Sequence, residues 1–140
     1  MNVVIMDAQG GGIGRMLVEQ MKKLLPEQHL IAVGTNALAT AAMLRSGADQ
    51  GATGENAVRV NAARADLILA PIGMVLCDAM LGEVTPDMAL SVGRSPAFKI
   101  LVPVSRCGVA VAGNGDRPMA ENVQQAAERA KKWLLDREQA

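Results

Sequence analysis

The sequence predicts a three-layer α/β domain built on a doubly wound, mainly parallel sheet, and three observations lead there. Apolar runs of strand length alternate with stretches of helical spacing along the whole chain. The first run, Val3-Val4-Ile5-Met6, is apolar without interruption, as a strand buried on both faces of a parallel sheet must be. A glycine-rich turn, Asp7-Ala8-Gln9-Gly10-Gly11-Gly12-Ile13-Gly14-Arg15, then joins that strand to a helix. With 140 residues, the chain is expected to form a single domain over 1–140, without room for a separate substrate domain.

The elements follow in order. After the glycines, Ile13, Leu17, Met21 and Leu24 recur at helical spacing, with Glu19, Gln20, Lys22 and Lys23 on the other faces, until Pro26 stops the helix. Leu30 to Gly34 reads as a second strand, Ala37 to Arg45 as a short helix closed by Gly47, and Asp49 to Ala52 as a brief third strand. Thr53 is the expected N-cap of a helix carried on by Val58 to Ala65, with Glu55 and Asn56 in its first turn. Leu67 to Ala70 is the next buried strand, and Met74 to Leu81 an apolar helix closed by Gly82, with Cys77 in its core face. Thr85-Pro86 caps and opens a short helix to about Gly93. Phe98 to Val102 is a further strand, and Cys107 to Ala112 a last one before the turn Gly113-Asn114-Gly115-Asp116. The final helix runs from Pro118 towards Arg137, with Val123, Ala126, Ala127, Ala130 and Leu134 on one face.

Composition narrows the function. Fourteen basic and fourteen acidic residues balance, so no chain-wide attraction to nucleic acid or membrane is expected, and neither is an expected partner. One Phe, one Trp and no Tyr leave no base-stacking platform. The N-terminal apolar run is too short to span a bilayer. Two isolated cysteines without a signal-like segment point to a reducing cytoplasm.

In an open parallel sheet, ligands sit outside the carboxyl ends of the strands, where strand order reverses. That rule gathers Asp7, Gly10, Gly11, Gly12, Ile13, Gly14 and Arg15 with Thr35 and Asn36, Thr53, Glu55 and Asn56, Pro71 and Gly73, and Ser105 and Arg106. Glycines at a helix start let backbone N–H groups approach an anion, and the helix dipole favours negative charge. The same glycines equally serve a bare structural turn, in which the helix packs tightly on the sheet. Asp7 has three readings: acceptor for a ligand hydroxyl, Mg²⁺ ligand, or organiser of the loop through its backbone N–H groups. Arg15 and Arg106 would clamp an anion, and Arg106 beside Cys107 would lower a thiol pKa, although no histidine base is placed to use it. His29 precedes its strand and belongs at the opposite end of the sheet. No metal site is predicted.

The loop departs from each familiar template at a nameable position. Against G-x-G-x-x-G, Gly10 and Gly12 fit and Arg15 replaces the third glycine, while Thr35-Asn36 replace the acid that would hold a ribose. Gly12-Ile13-Gly14 resembles the T-G-x-x-x-G-I-G turn of short-chain dehydrogenases, but a chain without tyrosine lacks that family's catalytic Tyr-x-x-x-Lys. Gly11 to Arg15 is similar to the K-G-G-x-G-K-[ST] loop of the nitrogenase-iron-protein and chromosome-partitioning ATPases. Arg15 replaces its lysine and Met16 the hydroxyl that holds Mg²⁺, which argues against nucleotide hydrolysis.

Asp7 to Gly14, Gly34-Thr35-Asn36, Gly47-Ala48-Asp49, Gly51 to Asn56, Pro71-Ile72-Gly73 and Ser105-Arg106-Cys107 together resemble a family of short bacterial proteins of unknown function, similar to Rossmann-type nucleotide-binding modules. The resemblance implies a Rossmann-like fold and no reaction. The expectation is a small phosphorylated ligand, a nucleotide or dinucleotide, at the glycine loop, in a homo-oligomer and without an assigned catalytic role. The competing expectation is an oligomeric subunit or adaptor whose glycine loop is structural and whose apolar helix, with Met74, Val75, Leu76, Met80 and Leu81, meets a partner.

Overall fold

The computed structural model describes residues 1–104 and 108–139. Five parallel strands form one sheet in the order β3-β2-β1-β4-β5. They are β1 (Val3–Asp7), β2 (Leu30–Gly34), β3 (Gln50–Thr53), β4 (Leu67–Pro71) and β5 (Phe98–Val102). Helices α1 (Gly12–Leu24), α2 (Ala37–Arg45), α3 (Glu55–Arg64), α4 (Pro86–Arg94) and α5 (Met119–Glu138) connect and cover them. This is the doubly wound, Rossmann-like architecture the alternating pattern predicts.

β1 is buried along its whole length because it sits mid-sheet with helices on both faces. Its alternate residues split the core. Val3 and Ile5 pack with Leu67, Leu69 and Val102 beneath Leu17, Val18 and Met21 of α1, Met43 of α2, and Val123, Ala127 and Leu134 of α5. Val4 and Met6 pack with Ile68 and Ala70 beneath Val58 and Ala62 of α3 and Met88 and Val92 of α4. Strand order reverses between β1 and β4: α1 and α2 lead from β1 towards β3 on one face, while α4 leads from β4 to β5 on the other. The crevice between the carboxyl ends of β1 and β4 is therefore the switch point.

Three local expectations need correction. Residues 74–81 are not a helix: a 3-10 turn (Ile72–Val75) is followed by turns in which Asp78, Met80 and Leu81 adopt φ of +64°, +57° and +59°. Met74 drops into the core, Leu81 is wholly exposed, and Cys77 is exposed rather than buried. An apolar run that faces core and solvent by turns cannot keep one helical stripe, so the apolar helix proposed as a partner surface does not exist. Residues 108–112 form no strand, and Cys107 lies outside the described residues, as do Ser105 and Arg106. Thr53 ends β3 and Gly54 takes the N-cap position of α3, with φ of +102°. The Thr85 cap holds: its Oγ1 accepts the Met88 N–H at 3.1 Å.

Candidate functional site

β1 delivers Asp7 to the carboxyl edge of the sheet, where the side chain is 3% exposed. Its Oδ1 accepts the Ala8 N–H and its Oδ2 the Gly14 N–H, each at 2.7 Å. Burial pushes this carboxyl above the ordinary aspartate range; the N–H groups of Gly14, Ala8 and Ile13 pull it back, and the Glu83 charge adds to the rise. Both oxygens of Asp7 thus organise the turn that starts α1.

The glycines of the turn divide into two pairs. At Gly11, with φ of +74°, a Cβ would meet the Ala39 backbone at 2.9 Å; at Gly14 it would meet Met43 Sδ at 2.6 Å and the Asp7 Cβ at 2.8 Å. Those two let α1 close against α2 and β1. Gly10 and Gly12 are exposed, have no positive φ, and a Cβ on either would meet nothing within 4 Å. Their N–H groups donate to no acceptor among the described residues. Ile13 is half-buried against the core, and Arg15 is exposed, its guanidinium 3.4 Å from Glu19 one turn on.

Thr35 and Asn36 stand at the carboxyl end of β2, as predicted, but their side chains already have partners. Thr35 Oγ1 donates to Glu83 Oε1 at 2.7 Å, and Asn36 Nδ2 donates to the same oxygen at 2.6 Å and to the Gln9 carbonyl at 2.9 Å. Asn36 Oδ1 caps α2 by accepting the Ala39 N–H. The Gln9 N–H donates to Glu83 Oε1 as well, at 2.8 Å. Burial pushes the Glu83 carboxyl up, but the bonds from Thr35, Gln9 and Asn36 outweigh it and hold the group below the ordinary glutamate range.

Glu83 is the residue the sequence reading missed. It lies in the connection from β4 to α4, and that connection returns across the sheet edge to reach β2. A signal was present, since the segment after β4 belongs to the ligand edge and carries an acid just before the Thr85-Pro86 cap. Assigning residues 74–81 to a helix concealed it.

Further along the edge, Thr53 Oγ1 lies 2.8 Å from Thr40 Oγ1, and Glu55 accepts the Thr85 hydroxyl at 2.5 Å, tying the starts of α3 and α4 together. Asn56 accepts from Arg59. Pro71 and Gly73 are buried at the end of β4. His29 is exposed at the amino end of β2, 3.0 Å from Gln50, as its position before the strand predicts. A concavity of about 610 Å³ lies beyond β5, lined among others by Pro103, Val109, Asn114, Arg117, Met119 and Asn122. No group of three or more His, Cys, Asp or Glu able to hold a metal occurs among the described residues, and no described helix is long and apolar enough to cross a membrane.

No curated protein matches the chain. Among solved structures, it resembles a dodecameric FMN-dependent UbiX-like decarboxylase from Escherichia coli O157:H7, with a TM-score of 0.50 over 94% of each chain at 16% identity. At that identity the likeness speaks for the fold. The profile of one sequence family covers residues 2–135, nearly the whole chain. The chain therefore belongs to the family described as Domain of unknown function (DUF3842).

Proposed function

We propose that this protein binds a nucleotide or another small phosphorylated metabolite at the carboxyl edge of its sheet, with a phosphate against the turn between β1 and α1. The observation that carries the reading is the second glycine pair. Packing and φ account for Gly11 and Gly14 but not for Gly10 and Gly12, which are exposed and where a side chain would meet open space. Close approach of a bound group to the backbone gives those positions a reason to lack a side chain. The N–H groups of Gly10 and Gly12 and the dipole of α1 supply donors, and exposed Arg15 supplies a guanidinium suited to phosphate. Arg106, outside the described residues, is by its place in the sequence after β5 a further candidate for charge. The concavity beyond β5 has the size of a small-ligand site, but its lining includes no residue of the glycine turn, so it does not carry this reading.

A thermal-shift panel of FMN, AMP, NAD, coenzyme A and glucose 6-phosphate tests the reading. Ligand at about 100 times its Kd stabilises a native state by about 2.7 kcal/mol, an easily read shift. We expect at least one such shift, lost in Gly12→Val. A panel without shifts at millimolar ligand overturns the proposal.

Self-association is supported by a separate observation. Leu38 is 73% and Leu81 100% exposed, and half-exposed Val109 and Val111 share the connections at the same edge. A second copy would cover them, as expected of a homo-oligomer, and light scattering reports a monomer or an assembly directly.

A further inference from the structure

We infer that Glu83 accepts the hydroxyl pair of a ribose, so that the ligand of this edge is a ribonucleotide; the inference rests on the binding reading above. Its basis is how the carboxylate is held. Oε1 takes all three donors, the Gln9 N–H, the Thr35 hydroxyl and the Asn36 amide, at 2.6 to 2.8 Å. Oε2 takes none among the described residues, so one acceptor oxygen of a fixed carboxylate is left for a ligand.

Position adds to this. The donors belong to the turn after β1 and to the end of β2, so the carboxylate sits beside the glycine loop. A sugar attached to a phosphate at Gly10 and Gly12 would fall next to it. Parallel sheets of this kind place an acid at the end of the second strand for the ribose, and Thr35-Asn36 cannot serve as that acid. Here the carboxylate arrives from another segment.

The segment that brings it is costly in backbone terms. Asp78, Met80 and Leu81 all adopt left-handed φ without being glycine, and such clusters are found where function fixes the chain. The same connection carries Glu83 to the donors at the end of β2.

A carboxylate accepts from a vicinal diol and repels a phosphate in the same place. Affinities of AMP, GMP, CMP and UMP, their 2′,3′-dideoxy forms, NAD and NADP should be measured by calorimetry on the wild-type protein and on Glu83→Gln. We expect a wild-type preference for at least one ribonucleotide over its dideoxy form of about tenfold or more, the size set by hydrogen bonds to a charged acceptor. NAD should bind more tightly than NADP. In Glu83→Gln the ribose preference should shrink to about twofold, with dideoxy affinity unchanged; a purely structural role for Glu83 would weaken both forms alike. The wild-type comparisons stand even if the variant does not fold. Equal binding of ribose and dideoxy forms, an unchanged ratio in Glu83→Gln, or tighter binding of both forms in that variant overturns the inference while leaving nucleotide binding intact. Absence of binding by every compound overturns both.

Discussion

The Asn36 side-chain nitrogen lies 2.6 Å from the Glu83 carboxylate, although 47 positions separate the two in the chain. Through that oxygen the β4–α4 connection is fastened to the end of β2 and to the turn after β1. Three segments of the carboxyl edge are thereby fixed with respect to one another by a single ionised group.

The acid limb of stability should report that group. Glu83 has a folded pKa below its ordinary value of 4.5, so its contribution is complete above that value and is lost as pH falls through the lowered folded pKa. Asp7 acts in the opposite sense. Burial raises its pKa, so the folded chain holds its proton more tightly than the unfolded one, and stability declines as pH rises from 3.8 through the raised value. Urea denaturation of wild type and Glu83→Gln between pH 3 and 7 should show a stability gap that is widest near neutrality and closes below about pH 4.5. A gap independent of pH would contradict the account.

The two glycine pairs should separate in stability. Gly11→Ala must fit a Cβ against the Ala39 backbone at positive φ, and a loss of about 1–3 kcal/mol is expected. Gly12→Ala meets open space at the start of α1 and should be neutral or stabilising by up to about 1 kcal/mol. Equal losses would show that all the glycines serve packing.

Much of the fold was legible because burial on both faces leaves uninterrupted apolar strands, as at Val3 to Met6 and Leu67 to Ala70. The helices α1, α4 and α5 were legible from spacing and from the Thr85-Pro86 cap. Residues 74–83 were not. Their apolar content resembles a helix, whereas Met74 is buried, Leu81 is exposed and the φ values between them are left-handed. Nothing local marks that behaviour, and the donors that Glu83 meets, on β2 and the turn after β1, are far away in the chain. The strand rule placed Thr35 and Asn36 at the edge, but could not show that their side chains are taken up by an acid from elsewhere.

Asp7→Ala should cost about 1–3 kcal/mol, because the Ala8 and Gly14 N–H groups would lose their buried acceptors. Chemical denaturation measures this directly, and a variant as stable as wild type would remove Asp7 from its role as organiser of the turn.

Cys77 should react in the native protein. The side chain is exposed, so alkylation by iodoacetamide at neutral pH, followed by peptide mass spectrometry, should label it at a rate within a few-fold of the denatured chain. Protection by orders of magnitude would mean that the β4–α4 connection is covered in solution.

The central claim is that a phosphorylated ligand meets the backbone of the glycine turn, and amide-resolved NMR titration tests it most directly. With AMP or FMN added to ¹⁵N-labelled protein, the account predicts saturable shifts led by the Gly10, Gly12 and Ile13 amides and reaching Thr35 and Asn36. Saturable shifts confined to other surfaces, such as the α5 side near Phe98 and Trp133, or a spectrum unchanged at millimolar concentrations of these and every other compound of the thermal-shift panel, would contradict it.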